Sequence, residues 1–243
     1  MMERIPYAIL ILLLLCVARP GHAQDADDDI EPELFRVRLF EITGEITKPQ
    51  NIFGDRMNED GLGLGAAYLW QTKPEGPTFI GLDFQWSPFF KVATDFVDVI
   101  DGFSTNLRET TRTTLWSSHV LTRFFPFNNF PVIDPFIEGL IGAKLMMTNT
   151  NISITETAEN IDFIIESSKA SFSYGCAAGF QVHLHKYQYY LTAKGTYLRG
   201  SSNGFYAIPE DLAGQSNLTI GDLDFLNAPI DILRIQLGLS ISF

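Results

Sequence analysis

The last stretch of the chain constrains the fold most, because it alternates strictly between apolar and polar residues. Its apolar residues share one parity: Leu233, Ile235, Leu237, Leu239, Ile241 and Phe243. Its polar and small residues share the other: Arg234, Gln236, Gly238, Ser240 and Ser242. A period of two predicts a β-strand with one apolar and one polar face. A strand from Asp231 to Phe243 is also long enough to cross a bilayer at a tilt, for which roughly 9–11 residues suffice.

The N-terminus has the pattern of a secretory signal. Arg4 precedes a short apolar run at residues 8–17, and Gly21 and Ala23 are small residues suited to a cleavage site. The apolar run is too short for a membrane-spanning helix, which needs about 20 residues. The sequence therefore predicts a signal peptide at 1–23 that is cleaved after Ala23, an acidic periplasmic leader at 24–33, and one domain at 34–243.

Seven further segments alternate in the same way and predict seven more strands. These strands are expected at residues 34–46, 61–71, 78–87, 113–125, 136–147, 170–183 and 188–199. A blurred parity at Phe40 and Glu41 predicts either a bulge in the first strand or the point at which that strand leaves the membrane. The connections alternate between long and short, and the long ones lie at 47–60, 88–112, 148–169 and 200–230. Apolar residues keep alternating within 148–169, which predicts a hairpin above the membrane with its tip near Glu159 and Asn160.

An even number of strands joined by alternately short and long connections is typical of transmembrane barrels. The predicted fold class is therefore all-β: an eight-stranded antiparallel up-and-down transmembrane β-barrel with long outer loops and short periplasmic turns. Aromatic residues near the predicted strand ends, such as Trp70, Trp86, Trp116 and Tyr189, fit the interfacial girdles of such barrels.

From Leu34 to Phe243, the chain resembles the small eight-stranded outer-membrane barrel proteins, of the kind represented by OmpA and OmpX. The resemblance rests on the strand pattern, the alternation of connections and the closing segment from Leu237 to Phe243. It implies a location in the bacterial outer membrane and identifies Phe243 as part of the signal read by the barrel insertion machinery. It also implies outer-membrane lipids and lipopolysaccharide as partners, with other outer-membrane subunits as candidates.

Parity alone does not decide which face of the barrel points outward. A soluble lipocalin-like barrel also has eight strands, with the apolar face inside around a ligand. Glycines and charged residues share the polar face, which suits a narrow interior, and no helix follows the strand that ends at Phe243. Both observations favour lipid outside. The net charge of −12 is unfavourable for nucleic-acid binding, and no cofactor or metal motif is present in the sequence.

With lipid outside, the polar parity predicts a network of charged side chains in the lumen. Its members are Arg36, Arg38, Asp83, His119, Arg123, Glu138, Lys144, Lys194 and Arg234. Such charges must pair, because an unpaired buried charge costs several kcal/mol. A structural network is the favoured interpretation, with a narrow polar path as the alternative. Eight strands leave an interior only wide enough for side chains, so a wide porin channel is excluded.

One segment bears on enzymatic activity. Lipid A deacylases carry His-x-Ser-Asn after a late strand, and Ser202 and Asn203 resemble that motif. Gly200 stands where the base should be, and Glu210 would need a histidine partner that the later chain lacks. A serine hydroxyl without a base is a weak nucleophile, so no catalytic residue is predicted. Apolar residues in the long connections, at 92–100, 160–165 and 205–226, favour a non-enzymatic structural, surface-interaction or assembly-subunit protein.

Overall fold

The computed structural model describes residues 37–57, 59–74, 76–100, 103–126, 132–154, 160–185, 188–209, 212, 215 and 218–243. The predicted signal peptide, the acidic leader and Arg36 lie outside these residues. The strands are β1 (Arg38–Gln50), β2 (Gly61–Gln71), β3 (Thr78–Ile100), β4 (Phe103–Phe124), β5 (Ile133–Ile154), β6 (Asn160–His185), β7 (Tyr189–Gly200), β8 (Ser202–Ala207), β9 (Asp224–Pro229) and β10 (Asp231–Ser242). A short helix, α1 (Asn51–Met57), follows β1, and a 3-10 helix (Ile220–Asp222) precedes β9.

Eight of these strands close into an antiparallel barrel in the order β1-β10-β7-β6-β5-β4-β3-β2. The closing pair, β1 with β10, runs in continuous register from Leu39 opposite Ser242 to Gln50 opposite Asp231. Beyond it, the backbone N–H groups of Arg38 and Phe243 donate to each other's carbonyl oxygens at 3.0 and 3.1 Å. Closure pairs the backbone groups of every wall strand, as a spanning sheet requires. The predicted eight-stranded up-and-down barrel is confirmed.

The apolar side chains of the wall point outward and the polar ones point inward. Large apolar residues that are exposed on the outer face include Ile42, Leu62, Leu64, Phe84, Val120, Ile141, Phe172, Leu191, Leu237 and Leu239. Buried polar residues on the opposite parity include Thr43, Gln85, Ser117, Ser173, Thr196 and Gln236. This arrangement suits lipid around the barrel, and a soluble lipocalin-like barrel, which needs the reverse, is therefore excluded. Among the described residues no helix is long and apolar enough to cross a membrane.

Four strands are longer than the sequence predicted. β3 and β4 stay paired as far as Ile100 opposite Phe103, and β4 pairs with β5 up to Leu107 opposite Ile154. The expected loop at 88–112 is thus mostly strand, whereas the hairpin expected within 148–169 is present, with its tip at 155–159 outside the described residues. We call residues 90–100, 103–113, 148–154 and 160–169 the outer extension. The prediction of a loop at 88–112 was wrong because the strands there are surrounded by water, so their outward residues mix polar and apolar types and do not alternate regularly with the inward ones.

One irregularity in β3 redirects the chain at the border of the extension. The register shifts between Pro88 and Phe90, which is a β-bulge. On the periplasmic side of the bulge, the inward residues Asp83, Gln85 and Ser87 are odd-numbered. On its outer side, the inward residues Phe90 and Val92 are even-numbered. The bulge predicted at Phe40 and Glu41 is wrong, because β1 pairs with both neighbours without a shift.

A cap covers the outer mouth of the barrel, and we define it as α1 together with residues 202–209 and 218–229. The chain turns into α1 at Asn51, whose φ of 55° lies in the left-handed region that asparagine tolerates. The Asn51 amide donates to Asp231 Oδ2 at 2.8 Å, which holds this turn against β10. The sequence predicted neither this helix nor the β8–β9 sheet in the connections at 47–60 and 200–230.

Candidate functional site: the polar interior and the capped mouth

Four charged side chains meet inside the barrel toward its periplasmic end. Arg123 Nε donates to Glu138 Oε1 at 2.6 Å, and Arg123 Nη2 donates to Glu41 Oε2 at 2.9 Å. Lys194 Nζ lies 2.9 Å from Glu41 Oε1 and 3.6 Å from Glu138 Oε2. All four side chains are almost fully buried. This charge quartet pairs two cations with two carboxylates, so each charge is compensated where water is scarce.

An aromatic ring and several hydroxyl and amide side chains surround the quartet. The Arg123 guanidinium lies 4.1 Å from the centre of the Phe136 ring, a cation–π contact that adds to its packing. Ser240 Oγ donates to Glu41 Oε2 at 3.2 Å and is 2.7 Å from Thr192 Oγ1. On the same two strands, Gln236 Oε1 accepts a hydrogen bond from Thr196 Oγ1 at 2.9 Å. The inward-facing residues of β7 and β10 therefore provide hydrogen-bond partners for one another.

The next layer contains an aspartate, a histidine and a serine in line. His119 Nδ1 lies 3.8 Å from Asp83 Oδ2, and His119 Nε2 lies 3.0 Å from Ser173 Oγ. Gln85 Nε2 donates to the other oxygen of Asp83 at 2.6 Å. The order of groups is that of a serine hydrolase triad. Ser173 is completely buried, however, so no substrate carbonyl can approach its hydroxyl in this conformation.

A third layer centres on Arg234 and Glu45. Arg234 Nε lies 3.6 Å from Glu45 Oε1, and its Nη2 donates to Ser117 Oγ. Ser87 Oγ donates to the same carboxylate at 2.5 Å, and Gln236 Nε2 donates to Glu45 Oε2 at 3.2 Å. Hydroxyl and amide donors from neighbouring strands therefore surround this carboxylate in addition to the guanidinium.

Lys144 differs from the other buried cations because its hydrogen bonds go to the backbone. Its Nζ donates to the carbonyl oxygens of Ile230 at 2.7 Å and Leu198 at 3.3 Å. These two residues flank the long connection that carries β8 and β9. One lysine side chain therefore holds both ends of the connection that carries β8 and β9 at the top of the barrel interior.

The structure separates the predicted network into residues inside and outside the wall. Seven lie inside: Asp83, His119, Arg123, Glu138, Lys144, Lys194 and Arg234. Arg38 does not, because β1 keeps one parity throughout and its inward residues are odd-numbered, so Arg38 is exposed on the outer side. Sequence reasoning missed Glu41 and Glu45, which the same odd parity puts inside with Thr43 and Thr47. Their alternation with Ile42 and Ile46 was the signal that could have found them.

Aromatic packing closes the mouth above Lys144. Phe53 of α1 is fully buried and packs edge to face against Phe205 of β8 and Phe89, with ring centres 5.0 and 5.9 Å apart. The bulge in β3 is what turns Phe89 toward this cluster. Such T-shaped pairs add to the burial of apolar area. The cap is therefore packed onto the barrel through an apolar cluster that the two share.

Hydrogen bonds tie the cap to the concave side of the outer extension. Thr94 Oγ1 donates to the Leu218 carbonyl at 2.7 Å, and the Ile220 N–H donates to Glu109 Oε1 at 3.1 Å. Asn203 Nδ2 donates to the Lys169 carbonyl at 2.9 Å. Asn203 is thus committed to structure, whereas Ser202 is exposed beside it and Glu210 lies outside the described residues.

The outer face shows two belts of aromatic side chains. Trp86 and Trp116 lie opposite each other, with ring centres 6.2 Å apart, where β3 and β4 leave the apolar band. Tyr68 packs near Trp70 and Phe243 at the opposite end. Beyond the tryptophans, the outward residues of β4 are polar, and Arg108 Nε donates to Asp95 Oδ1 at 2.7 Å. This hydrogen bond lowers the pKa of Asp95 below its ordinary value.

These features define a class: an outer-membrane-type transmembrane β-barrel with an apolar outer band, aromatic belts and a polar interior. Neither a protein-family model nor a curated protein matches the chain. Among the described residues, no group of His, Cys, Asp and Glu side chains is arranged to hold a metal ion.

Solved structures similar to this chain are small barrels of outer membranes. A major outer membrane protein from Thermus thermophilus matches at 12% identity with a TM-score of 0.43, over 85% of this chain and 99% of that one. Neisserial surface protein A matches at 10% identity with a TM-score of 0.41, over 85% and 95%. Ail of Yersinia pestis, solved in complex with the heparin analogue sucrose octasulfate, matches at 12% identity with a TM-score of 0.39, over 86% and 97%.

Proposed function

We propose that this chain is a non-enzymatic, non-conducting barrel of the bacterial outer membrane that acts through its outer extension. Its role is that of a structural or surface-interaction protein, or of a subunit in a larger assembly. The carrying observation is that buried side chains lie inside the barrel from the charge quartet to the aromatic cluster around Phe53, which supports an interior filled by side chains. In a barrel closed in this way, the surfaces free to act are the lipid face and the extension.

The outer extension offers contact area beyond the lipid. Val97, Ile164 and Ile165 are exposed there, with 64%, 42% and 53% of their surfaces accessible. Exposed apolar side chains outside the lipid band favour a contact with another molecule. Export through the signal peptide at 1–23, insertion directed by Phe243, and a periplasmic leader at 24–33 complete the proposal.

Conductance in planar bilayers tests the closed interior. The purified, refolded chain is expected to insert without producing discrete current steps, because paired side chains occupy the axis. A porin of known conductance, added to the same bilayer, controls for sensitivity. Regular steps whose frequency follows the concentration of this chain would contradict the proposal.

Accessibility in intact cells tests the location and orientation. In a Cys176→Ala background, Val97→Cys lies in the outer extension and Leu184→Cys lies near the periplasmic end, and both side chains are more than half exposed. We expect a membrane-impermeant maleimide to label Val97→Cys in intact cells and Leu184→Cys only after permeabilisation. Equal labelling of the two positions in intact cells would overturn the proposed topology.

The Asp83, His119 and Ser173 side chains favour one alternative, a hydrolase. Their order is suitable, but Ser173 has no exposed surface and hydrogen bonds to His119 in the middle of the polar interior. An enzyme would need a path for substrate to this hydroxyl. The same contacts are explained by satisfaction of buried polar groups, which is required in any closed barrel.

A further inference from the structure

The lipid-facing wall contains a groove of about 540 Å³ where β10, β1, β2 and β3 lie side by side. Ile46, Leu64, Trp86 and Leu237 are among the side chains that border it, and Gly44 lies between them. Its volume falls within the range of about 300–1,000 Å³ that is typical of small-molecule sites. The apolar surface of the wall is therefore not uniform, because it contains a recess of this size.

The groove exists because one outward position carries no side chain. Gly44 lies opposite Leu237 on β10 and opposite Leu64 on β2, and Leu64 in turn lies opposite Trp86 on β3. Leu237 and Leu64 are 62% and 60% exposed, so their side chains project outward on either side of Gly44, which forms the bottom of the groove. A Cβ atom placed on Gly44 would meet only the Leu237 carbonyl oxygen, at 3.9 Å. The floor is therefore open to the lipid side.

Cationic side chains stand above the outer end of the groove. Lys48 follows Ile46 by two residues on the same face of β1, about 7 Å farther along the strand. Its Nζ lies 3.3 Å from Asp60 Oδ2, and both side chains are nearly half exposed. Arg199, two strands away on β7, is more than half exposed. An ion pair as exposed as that between Lys48 and Asp60 contributes little to stability. The Lys48 ammonium can therefore leave Asp60 and bind a phosphate instead.

We infer that this groove binds one acyl chain of an anionic, phosphate-bearing lipid of the outer leaflet, with the headgroup held by Lys48. The apolar walls match an acyl chain, and Lys48 lies two residues beyond Ile46, toward the outer membrane interface where headgroups lie. The site depends on the residence of the barrel in a membrane. A second copy of the chain fits less well, because a two-fold dimer centred on the groove would bring two Lys48 side chains toward each other.

Quenching of Trp86 by brominated acyl chains tests the site. Trp70→Phe and Trp116→Phe leave Trp86 as the sole tryptophan. The protein is reconstituted in phosphatidylcholine vesicles that contain a minor fraction of acyl-brominated phosphatidylglycerol or, separately, of acyl-brominated phosphatidylcholine. A retained anionic lipid should occupy the groove about fivefold more often than its bulk fraction predicts, as one lysine near a membrane surface allows.

Three variants separate the parts of the site. Gly44→Leu fills the groove and should return quenching to the bulk value, whereas Lys48→Gln should abolish only the preference for the anionic lipid. Gly195→Leu is the matched control, because Gly195 is also an outward glycine, a Cβ atom placed on it would meet nothing within 4 Å, and it is absent from the groove lining. It should leave the excess quenching unchanged.

Other outcomes would overturn the inference. Quenching that follows the bulk fraction in the parent protein, or an equal loss in Gly44→Leu and Gly195→Leu, would mean that no lipid is retained in the groove. Quenching below the bulk value would mean that a second protein copy covers it. Failure of the parent chain to insert, seen as an absence of quenching at any lipid composition, would instead contradict the membrane residence on which the site depends.

Discussion

Arg123 is the residue on which the polar interior depends most, because it bonds to both carboxylates of the charge quartet. Replacing it with methionine keeps much of its length but leaves Glu41 and Glu138 to share only Lys194. We expect Arg123→Met to lower the free energy of unfolding by about 3–5 kcal/mol, as loss of one partner from a buried ion pair does. Urea unfolding in vesicles, followed by tryptophan fluorescence, measures the change.

Two further variants check the cause of that loss. Arg123→Met combined with Glu138→Gln should recover part of the stability, because one uncompensated charge is removed. Arg108→Met breaks an arginine–aspartate pair of similar geometry on the exposed extension and should change the unfolding midpoint little. If the two arginine variants were equally destabilised, burial would not be what makes the quartet important.

At the scale of elements, the cap is the part most open to a direct test. Phe53→Ala removes the central ring of the aromatic cluster and should destabilise the cap by about 3–5 kcal/mol. Hydrogen exchange should then increase in β8 and β9 while the barrel strands remain protected, because the wall keeps its own hydrogen bonds. Ile52→Ala, one residue earlier in α1 but 57% exposed, is the matched control and should change little. Exchange that rises equally in the wall would contradict an independent cap.

The elements also show how far the sequence predicts the structure. Strands inside the lipid band were predicted closely, because lipid on one face and charges on the other impose a strict period of two. β1 was misread at its lower end because Leu39 is an apolar residue that faces inward near the rim, which blurs the contrast there. The extension, α1 and the β8–β9 sheet were missed, because water outside and irregular apolar packing between the cap and the barrel give no such regular pattern.

The interior could be predicted in part for the same reason. Parity identified seven charged residues that the structure places inside, but it gave no information on which of them pair. The pairing of Arg123 with Glu41 joins residues 82 positions apart and depends on the shear of the closed barrel. That quantity follows from the register of all eight strands together, so no single strand contains it.

At the scale of the whole molecule, Phe243, the proposed insertion signal, lies at the joint that closes the barrel. Its backbone pairs with Arg38 at the closing joint, while its side chain is 64% exposed on the lipid face. We expect Phe243→Ala to reduce the folded fraction in cells several-fold, yet to refold normally in detergent, where no insertion machinery acts. Heat-modifiable migration in electrophoresis measures both fractions.

Phe40→Ala is the control for this experiment, because Phe40 lies at the same end of the lipid face on the neighbouring strand. It should assemble normally in cells. If Phe243→Ala failed equally in cells and in detergent, the aromatic ring would be a structural requirement and not a signal.

The bulge between Pro88 and Phe90 determines which residues of β3 face inward in the outer extension. Removing Phe89, the extra residue of the bulge, would leave Phe90 opposite Thr113 and facing inward. Removing Lys91 alone would instead turn Val92 toward water and bring Asp95 against the cap. Removing two consecutive residues farther up would shorten the hairpin and keep its orientation. Above the bulge, we therefore expect tolerated insertions and deletions to change each strand of this hairpin by an even number of residues. Such changes alter how far the hairpin extends and keep its inward-facing residues facing inward.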